Sequence, residues 1–131
     1  LPEAAALLDE AAAATESAIA DQGKRLLALG SRAVLIKGGH GEGTESTDYL
    51  VGPNGTITLA APRIATRNTH GTGCTYASAI AAFLAKGNGL AESVVQAKKF
   101  ITTAIQKSFA LGKGYGTLDQ FSAAYNSLEL H

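Results

Sequence analysis

Apolar positions recur along the chain with two different periods, which predict helices at both ends of the sequence and short strands between them. Alanine-rich or amphipathic segments predict helices over 1–14, 16–29, 74–86, 90–111 and 118–125. Thr15 stands where the second helix needs an N-cap, and Gly30 stands where that helix should end.

The strand signals lie between the second and third of these helices. Residues 33–36 form a short β-prone apolar run, which is typical of a strand buried on both faces. Segments 47–51 and 56–60 flank a Pro-Asn-Gly turn and predict a β-hairpin, and residues 62–67 are expected to be extended. Strand, hairpin and two helices in this order predict an α/β fold, although the strands alone would make a small sheet.

The composition of the chain limits the kinds of molecule that it is expected to bind. The 131 residues suit a single domain over 1–131, and 46% of them are hydrophobic, which is enough for a modest core. Eleven Lys and Arg balance eleven Asp and Glu, so no positive field favours nucleic acid or a membrane surface, and a small-molecule partner is expected. The single cysteine, Cys74, excludes an internal disulfide, and the apolar runs are too short to span a bilayer. These features favour a cytoplasmic protein.

The segment Asn-Thr-His-Gly-Thr-Gly-Cys at 68–74 carries the clearest chemical signal, because it leads into the N-terminus of an apolar helix. Free N–H groups and the helix dipole converge there, and Gly71 and Gly73 leave room for an anion. The same field favours the thiolate of Cys74, which could accept a proton or act as a nucleophile. An ordinary turn followed by a buried cysteine would give the same spacing, so spacing alone leaves both interpretations open.

Four segments resemble motifs of one enzyme family. Residues 68–80 resemble the second signature of hydroxymethylpyrimidine kinases of the ribokinase-like superfamily, with Gly-Thr-Gly-Cys where other members carry Gly-x-Gly-Asp. Residues 34–40 (Val-Leu-Ile-Lys-Gly-Gly-His) resemble the family's Lys-Gly-Gly-His loop, 112–116 its late glycine-rich segment, and 1–4 the remainder of an Asn-x-x-Glu motif. The resemblance implies the C-terminal half, on the ATP and anion-hole side, of a three-layer αβα kinase domain, here a β-hairpin with flanking helices.

The resemblance also implies a reaction: phosphorylation of hydroxymethylpyrimidine and of its monophosphate by ATP with Mg²⁺, in thiamine biosynthesis. The site residues that it implies are an anion hole of Gly71, Thr72, Gly73 and Cys74 with Cys74 as catalytic base, ATP or phosphate contacts from Lys37, Asn68, Thr69 and Lys113, and Glu3 at the metal. Structural interpretations compete for three of them. Lys37 could simply extend to solvent from the end of a strand, and Glu3 could serve only the dipole of its helix. Lys113 could simply face water.

The absent N-terminal half is the first partner that the resemblance implies, and a homo-oligomer is the second, because a half-sheet would leave an unpaired edge. Three other functions are compatible with the residues. They are a pyridoxal kinase of the same fold, a non-catalytic half-domain that completes the nucleotide site of another chain, and a thiol-dependent hydrolase with Cys74 as nucleophile.

Overall fold

The computed structural model describes residues 1–38, 43–66, 71–108 and 116–128, with side chains as far as Tyr125. The chain forms two compact units, unit 1 over Leu1–Arg63 and unit 2 over Ile64–His131. Within the described ranges, no helix has the length and apolar character that a membrane span requires.

Unit 1 begins with two helices, α1 (Pro2–Leu8) and α2 (Glu16–Ala28). The first is shorter than the sequence predicted, because Asp9 takes a left-handed conformation with φ of 54° and ends it, so the prediction that it continues to residue 14 is wrong. The second begins as predicted: the Thr15 hydroxyl accepts the N–H of Ala18 at 3.3 Å and caps α2.

The sheet of unit 1 has three antiparallel strands in the order β1 (Val34–Ile36), β2 (Glu45–Gly52) and β3 (Gly55–Pro62). The predicted hairpin is confirmed, with Gly52 paired to Gly55 across a two-residue turn. Strand β1 is less buried than predicted. Ile36 is buried, whereas Val34 and Leu35 are only half-buried, since within the described residues β1 has a strand neighbour on one side alone.

The core of unit 1 lies where α1 and α2 pack on the sheet. Its buried members are Ala4, Ile19, Leu26 and Ile36. Gly23 brings α2 close to β2, where Val51 is fully buried, because a Cβ at this glycine would lie 2.5 Å from a Val51 methyl carbon. This packing fixes β1 and β2 beneath α2 and so places the segment that follows β1.

Unit 2 consists of α3 (Thr72–Ala85), α4 (Leu90–Gln106) and α5 (Gln120–Leu128). Helix α3 begins two residues before the predicted Cys74, and α4 ends before the predicted 111, of which 109–111 lie outside the described residues. Helix α4 buries a stripe at helical spacing: Val94, Ala97, Ile101 and Ala104.

Helix α5 is attached to α4 through the residue that precedes it. The backbone N–H of Asp119 donates to the carbonyl of Ala104 at 3.1 Å. The Asp119 carboxylate in turn accepts the backbone N–H of Ser122 at 2.9 Å and the Ser122 hydroxyl at 2.7 Å, and these bonds lower the pKa of Asp119. This cap explains why α5 starts at Gln120 rather than at the predicted residue 118.

Candidate functional site

The N-terminus of α3 is built as an open backbone turn. Gly71 is the N-cap, with φ of 82° and ψ of 4°, a left-handed conformation that favours glycine, and no side chain caps the helix. The first helical bond runs from the N–H of Thr75 to the carbonyl of Gly71 at 2.9 Å. Within the described parts of the chain, no acceptor receives the N–H of Gly73 or Cys74. These donors stand at the positive end of a helix of 14 residues, which is the arrangement that binds anions.

Cys74 occupies the third position of α3 and is exposed. The interpretation of Cys74 as a small buried side chain is therefore wrong, and its thiol is accessible to a reactant. Its neighbour Thr75 accepts a hydrogen bond from the Gln120 side chain at 3.2 Å, which ties the start of α5 to this turn. In the ranges that the structure describes, no three His, Cys, Asp or Glu side chains are placed to hold a metal ion.

A second set of predicted residues lies in unit 1, where the end of β1 meets the start of α1. The amino group of Leu1 donates to the carbonyl of Lys37 at 3.3 Å and lies 3.6 Å from the carboxylate of Glu3. The side chains of Lys37 and Glu3 are both exposed, at the same end of β1. The backbone of Lys37 and the carboxylate of Glu3 are therefore linked through the nitrogen of Leu1 at the carboxyl end of β1.

Two charged side chains that the sequence reasoning missed hold the residue after Lys37. Asp48, in β2, is only 2% exposed, and its Oδ1 accepts the N–H of Gly38 at 3.0 Å. Arg63, directly after β3, donates from Nε to the carbonyl of Gly43 at 3.0 Å. Its Nη2 donates to the carbonyl of Glu45 at 2.9 Å and, more weakly, to that of Gly38 at 3.4 Å. The signal for Asp48 was present in the sequence, because it alternates with Leu50 on a strand and so takes a core-facing position.

The predicted site residues thus fall into three groups. Gly71, Thr72, Gly73 and Cys74 form one turn in unit 2, and Glu3 and Lys37 are linked through Leu1 in unit 1. Asn68, Thr69 and Lys113 lie outside the described residues.

One family model matches most of the chain. The family model described as phosphomethylpyrimidine kinase matches residues 1–119. The chain belongs to the phosphomethylpyrimidine kinase family. The resemblance that the sequence motifs predicted is therefore confirmed.

Two relatives of known name match most of the chain. A hydroxymethylpyrimidine/phosphomethylpyrimidine kinase from Salmonella typhimurium is 46% identical over 125 residues, which cover 94% of this chain and 47% of the relative. The thiamine biosynthesis bifunctional protein ThiED of Geobacter sulfurreducens is 44% identical over 109 residues, which cover 83% of this chain and 22% of that protein. The chain spans about half the length of the Salmonella kinase.

A solved structure with the same fold is that of the pyridoxal kinase from Staphylococcus aureus in complex with AMP-PCP and pyridoxal. It matches with a TM-score of 0.88 and 28% identity over 95% of this chain and 46% of the kinase. The predicted ribokinase-like α/β class is confirmed by this likeness.

Proposed function

We propose that the chain is the C-terminal half of an ATP-dependent kinase domain that phosphorylates hydroxymethylpyrimidine and then its monophosphate in thiamine biosynthesis. The observation that supports this most strongly is the 46% identity to a kinase of that name over 94% of the chain. The native polypeptide is then longer, because the relative has about twice the length of this chain. The missing half would pair with the sheet edge that β1 leaves open, and self-association would protect the remaining apolar surface.

The turn at the start of α3 is the proposed anion hole. The N–H groups of Gly73 and Cys74 lie in the first turn of α3, and in this role they would stabilise the charge that develops on the transferred phosphoryl group. Gly71 allows the chain to make the left-handed turn that exposes these groups. Phosphoryl transfer depends mainly on positioning and charge stabilisation, so fixed backbone donors are well suited to it.

Cys74 is the proposed general base. Its sulfur takes the proton of the substrate hydroxyl while the hydroxyl oxygen forms a bond to the γ-phosphorus of ATP. The bond between that phosphorus and the oxygen that bridges to the β-phosphate breaks, and ADP leaves with the electron pair. The exposure of Cys74 and its place in the first turn of α3, beside the proposed anion hole, support this role.

Lys37 and Glu3 are proposed to act on the phosphates and their metal. The ammonium of Lys37 would neutralise phosphate charge. Mg²⁺ is commonly held by one or two carboxylates, water and substrate phosphates, so a single exposed carboxylate such as Glu3 fits it, directly or through water. Bound there, Mg²⁺ would offset the charge on the phosphate oxygens. In a longer chain the nitrogen of Leu1 would be an uncharged amide, and Glu3 would be released from its ion pair with that nitrogen.

Asn68, Thr69 and Lys113 are proposed to contact ATP or its phosphates on the strength of the family motifs alone. Alanine substitutions test each separately. We expect a higher KM for ATP with little change in the KM for the pyrimidine.

The experiment that tests the proposal measures product mass after incubation of the protein with MgATP and hydroxymethylpyrimidine. It compares this chain with a longer polypeptide that restores the N-terminal half, each as wild type and as Cys74→Ala. Ser78→Ala, an exposed change one turn further along α3, is the matched control. Loss of a general base lowers kcat by about 10²–10⁴-fold, whereas the control should retain wild-type kcat. Equal activity of Cys74→Ala and Ser78→Ala would exclude Cys74 as the base.

A second candidate, pyridoxal kinase activity, is favoured by the likeness to a pyridoxal kinase whose solved complex contains pyridoxal. Pyridoxal in place of the pyrimidine separates the two, because the preferred substrate will have the higher kcat/KM. A half-domain without activity of its own would instead bind MgATP only after a partner chain is added.

A further inference from the structure

The backbone at the end of β1 is held by two charged side chains, one in β2 and one directly after β3. The carboxylate of Asp48 accepts the Gly38 N–H at 3.0 Å, and the guanidinium of Arg63 reaches the Gly38 carbonyl at 3.4 Å. Both peptide groups of this glycine are therefore bonded from the β2–β3 hairpin. Because Lys37 immediately precedes Gly38, the direction in which its side chain leaves β1 depends on these bonds.

Asp48 occupies a buried position on β2. At 2% exposure its carboxyl group has lost nearly all contact with water, and the burial of such a polar group is costly unless hydrogen bonds replace that contact. Leu50, two residues further along β2, shows that an apolar side chain fits this face of the strand. At this position Asp48 accepts a hydrogen bond from the Gly38 N–H, which an apolar side chain could not do.

The position of Gly38 is narrowly defined by β2 as well. A Cβ at this residue would lie 3.0 Å from the carbonyl carbon of Thr47 and closer still to its oxygen. The backbone after Lys37 is thus pressed against the strand that carries Asp48, and it has little room to move except away from the sheet.

Arg63 joins this backbone to the start of β2. One guanidinium bonds the carbonyls of Gly43 and Glu45 at 3.0 and 2.9 Å as well as that of Gly38. Gly38 and Gly43, which flank residues 39–42, therefore both accept hydrogen bonds from one guanidinium group. Its planar set of N–H donors can bond several carbonyl groups at once.

From this geometry we infer that Asp48 and Arg63 are positioning residues, which fix the Lys37–Gly38 backbone so that the Lys37 ammonium meets the phosphates of ATP. The inference rests on the proposed function, because it assigns a consequence to the role of Lys37. Neither residue needs to contact the nucleotide. A displaced Lys37 would weaken interaction with ATP and leave recognition of the acceptor substrate unchanged.

The test compares variants in the full-length protein. Asp48→Ala removes the bond to Gly38, whereas Asp48→Asn keeps an oxygen that can accept it. Val51→Ala is the matched structural control, since it truncates a fully buried side chain on the same strand and has no contact with Gly38 among the bonds described. Each variant is measured for KM for ATP, KM for the acceptor, kcat and thermal stability.

We expect Asp48→Ala to raise the KM for ATP about tenfold, equivalent to about 1.4 kcal/mol, with the KM for the acceptor unchanged. Asp48→Asn should recover most of this loss. Val51→Ala should lower thermal stability without a change in the KM for ATP. The inference would be overturned if Asp48→Ala lowered thermal stability as Val51→Ala does but left the KM for ATP at the wild-type value.

A double mutant separates positioning from an independent effect. If Asp48 acts through Lys37, Asp48→Ala should raise the KM for ATP no further in a Lys37→Ala protein. Arg63→Ala should show the same dependence on Lys37, with partial recovery in Arg63→Lys. Additive effects in the double mutants would contradict the inference.

Direct binding of ATP distinguishes failure of the inference from failure of the proposed function. If the wild-type protein binds ATP but phosphorylates neither the pyrimidine nor pyridoxal, the proposed reaction fails. The inference is then decided by whether Asp48→Ala raises the Kd for ATP about tenfold. A wild-type protein that binds no ATP would overturn both.

Discussion

Replacement of Gly38 by alanine should destabilise the fold, because its backbone lies against a strand with no space for a methyl group. The added Cβ would stand 3.0 Å from the carbonyl carbon of Thr47 and nearer to its oxygen, and a backbone carbonyl cannot rotate out of the way as a side chain can. Overpacking costs about 1–3 kcal/mol, and an immovable obstacle places this case at about 3 kcal/mol. Alanine also restricts the unfolded chain, which offsets up to about 1 kcal/mol of this cost. We therefore expect the free energy of unfolding to fall by about 2 kcal/mol.

Gly52→Ala provides the matched control for Gly38→Ala. It changes the same residue type within the same sheet, but its added Cβ would meet only the carbonyl of Gly55, at 4.0 Å. We expect this variant to match the wild type or to gain about 0.5 kcal/mol. The assay is the free energy of unfolding of each variant from urea denaturation of the full-length protein. Equal stability of the two variants would refute the close approach of Gly38 to β2.

Three further predictions concern α2 and its surroundings. Thr15→Ala should cost about 1 kcal/mol of unfolding free energy, because it removes the N-cap, and Thr15→Ser should not; equal losses in the two would contradict the cap. Gly23→Ala should lower the free energy of unfolding less in a Val51→Ala protein than in the wild type, because the smaller side chain makes room for the methyl group. Additive losses of unfolding free energy in a double-mutant cycle would contradict this contact. The hydrogen bond from Arg25 lowers the pKa of Glu10 below its ordinary value of 4.5, so this pair should contribute stability above about pH 4.5 that is lost as the pH falls through the lowered pKa. Unfolding measured against pH at low salt tests it, and an unchanged pH dependence in Arg25→Gln would contradict it.

Local signals were sufficient to predict much of the fold. The Thr15 cap, the Pro-Asn turn of the hairpin and the apolar stripe of α4 each depend on residues close together in sequence, and all three were found where expected. The boundaries were less predictable. Asp9 ends α1 by taking a left-handed conformation, which Asp adopts only occasionally, so the alanine-rich pattern outweighed this one residue in the prediction.

The candidate site was predictable only in part. Gly71 and Cys74 could be placed from the sequence, because the start of a helix determines where its free N–H groups lie. Asp48 and Arg63 could not be assigned to the end of β1, since their bonds to Gly38 span 10 and 25 residues and depend on strand register. A charged residue on the buried face of a strand is the signal that would have identified Asp48.

The most direct test of the central claim is the mass of the product formed from hydroxymethylpyrimidine and MgATP by the full-length protein. We predict that the pyrimidine gains one phosphoryl group and then a second, and that Cys74→Ala abolishes most of this activity while Ser78→Ala does not. A protein that leaves the pyrimidine unchanged, or that phosphorylates pyridoxal with the higher kcat/KM, would contradict the account.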